Sequence, residues 1–411
     1  MSEPRYDLVV FGATSFVGQL LTRYLLGHLG KGGKLKWAIA GRSEKKLQDL
    51  RRSLGSAGAD LPMIRADASD EEALKQMCRQ TRAVISTVGP YALYGEPLVR
   101  VCAKSGTDYC DLTGEVQWVR RMVERYEADA KASGARIVHC CGFDSIPSDL
   151  GVYFLQEAAK TRYGKPLARV KMRVKAAKGE FSGGTVASLM NVVKEASADP
   201  TLRKELANPY SICPEAHGFT ARQPNVKSAE YDAEFDAWVA PFVMAGINTR
   251  VVHRSNALSG NAYGHEFRYD EAMLTGRGLK GRMRALGVTA AMGAFMAGAV
   301  VKPTRWALER FVVPKPGEGP SAEAQEQGFY DLRFWGQTDD GQTLRGKVTG
   351  DLDPGYGSTA KMLGQAGICM VTDLAEGERQ GGFWTPATLF DGHLVKRLKA
   401  YSGLEFTLDK G

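Results

Sequence analysis

Short apolar runs alternate with amphipathic segments along the first 150 residues of the chain. Six runs have the composition of buried strands, at residues 6–11, 35–40, 62–66, 83–88, 108–111 and 136–141. The segments between them carry apolar residues at helical spacing, at residues 18–29, 44–54, 70–79, 98–104 and 116–133. This alternation predicts an α/β fold with a doubly wound parallel sheet that helices cover on both faces.

The pattern changes near residue 148. Residues 168–176 alternate polar and apolar side chains, which is typical of a strand with one exposed face. Further strands are predicted at residues 250–257, 263–269 and 330–338, and helices at residues 186–196, 358–374 and 385–401. We therefore expect a second, α+β domain with an antiparallel or mixed sheet over residues 151–411. Its C-terminal helices are candidates to pack back on the first domain, residues 1–150.

A glycine motif lies between the first predicted strand and the first helix. Gly12 permits a tight turn, and Gly18 lets the helix approach the sheet closely. The free N–H groups and the positive dipole end of such a helix attract a diphosphate. Ser15 stands where a close-approach glycine is usual, and its hydroxyl is available to donate. The candidate contacts are Gly12, Thr14, Ser15, Phe16, Val17 and Gly18. The motif predicts a Rossmann-type dinucleotide site, and the alternative is a turn without a ligand.

The end of the second strand distinguishes between the two nicotinamide cofactors. NAD sites place a carboxylate there to hold the ribose 2′-hydroxyl, whereas this chain has Arg42 and Ser43. A guanidinium pairs bidentately with a 2′-phosphate, so we predict NADP; a solvated surface charge is the alternative interpretation of Arg42. Asp67, after the third strand, either accepts from the adenine amine or caps the next helix.

The fourth strand ends where the ribose and nicotinamide of a dinucleotide lie in such folds. Thr87, Gly89 and Pro90 lie at its C-terminal end and are predicted to contact the cofactor.

The net charge of +8 is concentrated in one region. Residues 276–315 hold eight cations and one anion, and no zinc-finger spacing or aromatic RNA motif accompanies them, so nucleic acid is not expected as a partner. The seven cysteines form no CxxC pair, so neither a disulfide framework nor a metal site is expected. The N-terminus lacks an apolar leader, which indicates a cytoplasmic protein.

Several motifs occur in order along the chain and together carry a family resemblance. They are Gly12–Gly18, residues 40–43, 87–91 with Gly95 and Pro97, 106–109 with 111–115, 142–147 with Asp149, 317–321, 353–357 with 359–361, 381–382 and 385–386. The series resembles the saccharopine dehydrogenase-like oxidoreductases, and the later motifs resemble their branch of trans-acting enoyl reductases. The resemblance implies a nicotinamide cofactor and reduction of a conjugated C=C bond, or else of a carbonyl, in a lipid-like or polyketide-like acyl substrate that a synthase or carrier protein delivers.

Enoyl reduction needs a donor that polarises a carbonyl and a source of a proton. Tyr91 and Tyr94 follow the fourth strand and are candidate donors, or else form a wall beneath the cofactor. Asp144 follows the sixth strand and is a candidate proton relay, or else caps the next helix.

Two other functions stay open at this point. The first is action on an amino-acid C–N bond, which would need cations such as Arg173, Lys175 and Arg268 to hold carboxylates. The second is a cofactor-binding protein of a membrane or lipid droplet with little turnover.

Residues 285–301 form a stretch of 17 residues without a charge, bounded by Arg284 and Lys302. One interpretation is a helix that is buried in the second domain or in a homodimer interface. The other is a monotopic element that rests on a membrane with the help of its basic flanks.

Overall fold

The computed structural model describes residues 4–30, 34–179, 183–301, 303–306, 319–374, 377 and 379–409. Its first sheet is built mainly by the N-terminal third of the chain. The strands are β1 (Tyr6–Phe11), β2 (Trp37–Gly41), β3 (Met63–Arg65), β4 (Thr81–Ser86), β5 (Asp108–Asp111) and β6 (Arg136–Val138). The helices among them are α1 (Phe16–Leu29), α2 (Glu44–Ser53), α3 (Gly55–Gly58), α4 (Glu71–Cys78), α5 (Tyr91–Tyr94), α6 (Glu96–Ser105) and α7 (Val116–Ser133).

These six strands are parallel and follow the order β6-β5-β4-β1-β2-β3. Leu8 and Val10 of β1 enter the core on one side of the sheet, and Val9 and Phe11 enter the core on the other. Both faces are therefore covered, which explains the apolar runs in the central strands β1, β2 and β4. The strand order reverses between β1 and β4, and a crevice forms there at the carboxyl ends of the strands. The predicted Rossmann-type sheet is confirmed.

The second sheet is mixed and has the order β14-β12-β11-β7-β10-β9-β8. Its strands are β7 (Arg169–Lys178), β8 (Glu230–Asp232), β9 (Ala237–Pro241), β10 (Arg268–Gly276), β11 (Phe329–Gln337), β12 (Thr343–Gly350) and β14 (Leu404–Leu408). Strand β7 pairs parallel with β10 and antiparallel with β11. The helices of this half are α8 (Ile146–Tyr163), α9 (Gly183–Ala198), α10 (Pro200–Ala207), α11 (Ala245–Leu258), α12 (Gly278–Val300), α13 (Ala322–Glu326), α14 (Gly357–Thr372) and α15 (Pro386–Tyr401).

Two strand predictions in this half are wrong. Residues 250–257 lie in α11, and residues 263–269 precede β10 except for their last two positions. Helix α11 buries nearly every side of its C-terminal half, polar residues included. The Arg254 guanidinium, for example, donates to the carbonyl oxygens of Ile212 and Phe383 inside the protein. A helix that is buried all round shows no helical period in its sequence.

The C-terminal part of the chain returns to the first sheet. Strand β13 (Gly382–Trp384) pairs parallel with β6 and adds a seventh strand. Helix α14 packs on α1, β4 and β5, and a Cβ at Gly367 would come within 2.3 Å of Ile85 Cδ1. Helix α14 and strand β13 therefore cover and extend the first sheet, although they belong to the C-terminal part of the chain.

Candidate functional site

The glycine loop between β1 and α1 is shaped by two close backbone approaches. Gly12 has φ +86°, and a Cβ there would lie 2.7 Å from Val88 Cγ2. A Cβ at Gly18 would lie 2.2 Å from the Gly12 carbonyl oxygen. Both positions therefore require glycine, one for its backbone conformation and both for space. The loop brings the start of α1 to the crevice between β1 and β4.

The hydroxyl of Ser15 is engaged within the protein. Its Oγ accepts from the Gly18 N–H at 3.0 Å and caps α1. It also lies 3.0 Å from Thr87 Oγ1, which itself donates to the Gly12 carbonyl oxygen at 2.9 Å. Because the Thr87 proton goes to Gly12, the Ser15 proton goes to Thr87. Donation to a diphosphate therefore falls to the N–H groups of Phe16 and Val17, for which the described residues offer no acceptor.

Positive charge marks the end of β2, where Arg42 forms no ion pair with a carboxylate of the residues that the structure describes. Arg42 is exposed, and Ser43 caps α2 by accepting from the Lys46 N–H. Asp67 accepts from the backbone and hydroxyl of Ser69, and these bonds, with the nearby Arg42 charge, lower its pKa. Helix α4 is capped by Asp70, so Asp67 is not its cap. An ionised Asp67 can accept from an adenine amine.

Sequence reasoning missed Arg65 in this region. It is exposed at the end of β3, directly opposite Gly41 of β2. The sequence does not show that Arg65 lies near Arg42, because this proximity depends on the pairing of β2 with β3.

Replacing Arg42 by alanine is expected to weaken NADPH binding by about 1.5–3 kcal/mol, or roughly 10- to 150-fold, because a charge-assisted hydrogen bond is lost. NADH affinity should stay unchanged. Calorimetric titration measures both. Arg79→Ala, at the far end of α4, is the matched control. An equal loss for NADPH and NADH would contradict the role of Arg42 at the 2′-phosphate.

Tyr91 is a buried wall residue at the end of β4. Its hydroxyl donates to the Ser86 carbonyl oxygen at 2.9 Å, and its ring packs against Trp118. Burial raises its pKa well above the usual range. The Glu115 carboxylate accepts from the N–H groups of Tyr91 and Ala92 and so fixes α5. This geometry favours a structural role for Tyr91.

The remaining residues at the end of β4 have separate positions. Gly89 and Pro90 are joined by a cis peptide bond and carry the chain into α5. Tyr94 is 51% exposed, at the far end of that short helix.

Asp144 lies at the edge of an apolar cavity of about 240 Å³. Gly114, after β5, and Met244, before α11, line the same cavity. Burial and the negative charge of Asp111 raise the pKa of Asp144 to about 7, and its own backbone N–H is its hydrogen-bond donor. Helix α8 has no side-chain cap, so Asp144 does not cap it. A carboxyl group that is half protonated near neutral pH is suited to general acid catalysis.

Arg250 lines this cavity too, and sequence reasoning missed it because it lies in the segment predicted as a strand. Its guanidinium donates to the carbonyl oxygens of Gly246 and Leu206, and its Nε–H finds no partner among the described residues. Burial lowers its pKa to about 10, so it stays charged at neutral pH. The cavity therefore combines apolar walls, one cation and one carboxyl group of shifted pKa.

The remaining walls of the cavity come from helices α7, α9, α10 and α11 and from the turn before α11. Helix α9 contributes Ser188, Leu189 and Val192, and α10 contributes Leu206. The other apolar lining residues are Val116, Val243 and Ile247.

Comparisons with known proteins agree with this geometry. Residues 8–138 match the family model of the saccharopine dehydrogenase NADP binding domain, so NADP is the cofactor of the first sheet. A trans-acting enoyl reductase of Mycobacterium tuberculosis is 38% identical over 412 residues, which cover 97% of this chain and 96% of that protein. A second protein of that organism, provisionally named for the same activity, is 40% identical over 404 residues, 96% of each chain.

A solved structure shares the fold across both sheets. Apo histidine-tagged saccharopine dehydrogenase (L-Glu forming) from Saccharomyces cerevisiae superimposes with a TM-score of 0.54 at 12% identity, covering 98% of this chain and 99% of that one. The likeness at this identity concerns the fold alone. With the relatives at 38–40% identity, it confirms the resemblance seen in the motifs. The chain belongs to the saccharopine dehydrogenase-like family, in the branch of the trans-acting enoyl reductases.

Proposed function

We propose that this protein is an NADPH-dependent enoyl reductase that saturates a conjugated C=C bond of a hydrophobic acyl or polyketide-like substrate. The observation that carries the proposal is the apolar cavity beside the cofactor sheet, with Asp144 and Arg250 in its wall. Asp144 follows β6 at the carboxyl edge, where ligands bind in open α/β sheets. The names of the similar mycobacterial proteins support the same reaction.

The residues of the cavity account for the protonation half of the reaction. NADPH, when bound, supplies a hydride to the β-carbon. As the C=C π bond breaks, negative charge moves onto the substrate carbonyl, where the Arg250 charge stabilises it. Asp144 then transfers its proton to the α-carbon, and the carboxylate regains a proton from solvent. Two C–H bonds form and one π bond is lost, so atoms and electrons balance.

The lining of the cavity indicates the substrate class. Leu189, Val192 and Ile247 offer an aliphatic surface suited to an acyl chain. We infer from the trans-acting relatives that a synthase or carrier protein presents this chain to the enzyme.

Action on an amino acid is less well supported by the geometry. Arg173 is held between Asp232 and Asp270, and Lys175 pairs with Asp331 at 3.5 Å. Arg268 is exposed on β10. None of these three lines the cavity, where Arg250 is the sole cation among the described lining residues.

The direct assay follows NADPH oxidation with a panel of enoyl thioesters and, in parallel, with amino acids and oxo acids. The proposal predicts oxidation with medium- or long-chain enoyl thioesters and none with the amino-acid panel. The reverse pattern would establish the C–N alternative. Tight NADPH binding without turnover on either panel would instead support a cofactor-binding protein.

Two glycines beside Asp144 offer a matched pair of variants. A Cβ at Gly142 would lie 2.9 Å from Asp144 Oδ2, whereas a Cβ at Gly114 would lie 3.5 Å from Oδ1, an ordinary contact. Gly142→Ala is therefore expected to displace the carboxylate and lower kcat about tenfold or more, since misplacing a reacting group is costly. Gly114→Ala leaves the carboxylate in place, so its kcat should stay near the wild-type value, while its added methyl group in the cavity wall is expected to raise KM. Steady-state kinetics compares the two, and equal kcat values would show that the position of Asp144 does not matter.

A further inference from the structure

Helix α12 presents an apolar surface to solvent. It is long and apolar enough to cross a membrane by length and composition, yet only 11% of its most apolar window is buried. Leu279 and Met283 are 73% and 61% exposed. Other large apolar side chains of the same surface are Leu286, Met296 and Val300. The expectation that this helix is buried inside the second domain is therefore wrong, whereas the homodimer interface stays a prediction.

The opposite side of α12 fixes the helix to the protein. It packs on β9, β10 and α9. Gly281 is buried, and its carbonyl oxygen accepts from Thr275 Oγ1 at 2.9 Å; Ala285 and Ala299 are also buried. To cross a bilayer, the helix would have to leave these contacts. It can instead lie flat, with its length of about 35 Å along a surface.

The charges on the exposed side of α12 indicate the kind of surface that binds it. Lys280, Arg282 and Arg284 are exposed in the first turns, and no acidic residue occurs between Arg277 and Val301. Lys280 and Arg284 have no ion-pair partner among the described residues. Cations beside exposed apolar residues are the combination that an anionic membrane surface attracts. A second α12 would offer these cations no acidic partner, because the helix itself carries none.

We propose that α12 docks the enzyme on an anionic membrane surface and that the substrate chain reaches the cavity along α9. Helix α9 joins the two places. Met190 and Val193 pack against Ala299 of α12, while Leu189 and Val192 on α9 line the Asp144 cavity. An acyl chain leaving the membrane at α12 therefore meets the helix that forms the cavity wall. This route rests on the proposed function, whereas the docking does not.

Flotation with lipid vesicles tests the docking. The full chain is expected to float with vesicles containing phosphatidylglycerol and much less with pure phosphatidylcholine, and salt should release part of it. The double variant Lys280→Gln/Arg284→Gln should bind roughly thirtyfold more weakly, since each cation near the surface contributes about a fivefold gain. Lys396→Gln/Lys399→Gln, exposed on α15, is the matched control and should bind as wild type.

A second pair of variants tests the apolar contribution. Met283→Ser/Leu286→Ser should abolish flotation, while NADPH affinity stays unchanged and reports an intact fold. Absence of wild-type flotation would overturn the proposal and show that α12 binds no membrane. A concentration-dependent dimer that this variant dissociates would overturn it in favour of a second copy of the chain. Enoyl reduction of a soluble medium-chain thioester, measured without vesicles, separates failure of the docking from failure of the proposed function.

Discussion

Replacing Asp144 by asparagine is expected to lower kcat by about 10²- to 10⁴-fold, the usual contribution of a positioned general acid. The amide has nearly the same shape as the carboxyl group but cannot donate its proton to the α-carbon. NADPH affinity should change little, because Asp144 lies in the substrate cavity and not at the glycine loop. Single-turnover kinetics with an enoyl thioester measures the loss.

The pH dependence of the wild-type enzyme should follow the same group. Asp144 must be protonated to act, and its pKa is raised to about 7, so kcat should be constant below that pH and fall about tenfold per pH unit above it. This limb should vanish in Asp144→Asn. An unchanged kcat, or the same limb in the variant, would contradict the role of Asp144.

Asp144→Asn should increase the stability of the protein although it lowers kcat. The folded pKa of Asp144 is raised above its usual value of 3.8, so its favourable contribution is complete below that pH and is lost as pH rises through about 7. Asp144→Asn removes a carboxylate that is costly to bury, and it should raise the free energy of unfolding at neutral pH. A residue with a purely structural role would show destabilisation instead.

Asp149→Asn is the matched control for a buried carboxyl group. Burial raises the pKa of Asp149 to about 7 as well, but it accepts from Ser255 Oγ and the Ala387 N–H and does not line the cavity. An asparagine there can keep both bonds, with its amide donating to Ser255. Its kcat should therefore remain close to the wild-type value.

The largest effect on stability is expected from Arg173→Met. The Arg173 side chain is 1% exposed, and its guanidinium lies 2.7 Å from an Asp232 oxygen and 2.6 Å from an Asp270 oxygen. Its removal leaves these carboxylates buried without their main partner, which should cost about 3–5 kcal/mol of the free energy of unfolding. Equilibrium unfolding in urea measures the change.

Lys175→Met is the control, two residues further along β7. Its ammonium pairs with Asp331 at 3.5 Å while the side chain is 54% exposed, so its loss should cost less than about 1 kcal/mol. The comparison also bears on function. If Arg173 held a substrate carboxylate, as an amino-acid reductase would require, the variant would raise KM at nearly unchanged stability.

The cofactor half of the site was predictable from the sequence because its determinants are local. The glycine loop, the end of β2 and the end of β4 each follow an apolar strand directly, and the parallel sheet brings all three to one edge. The expected donation from the Ser15 hydroxyl to a diphosphate is the exception. That hydroxyl donates to Thr87, more than 70 residues away in the sequence.

The substrate half was not predictable in the same way. The cavity around Asp144 is assembled from α9, α10 and α11, which lie far along the chain from Asp144, and Arg250 lies in a helix buried on nearly all sides. Neither the hydrophobic periodicity nor the composition of the sequence shows that Arg250 lines a cavity. Strand β13 was missed because its three residues are too short a run to recognise.

The transfer of hydrogen from cofactor to substrate tests the central claim most directly. The enzyme is incubated with NADPH deuterated at C4 of the nicotinamide and a hydrophobic enoyl thioester, and NMR locates the label in the product. The account predicts one deuterium on the β-carbon and one solvent hydrogen on the α-carbon. Deuterium on the carbonyl carbon, or no reduction of any enoyl thioester while NADPH remains bound, would contradict it.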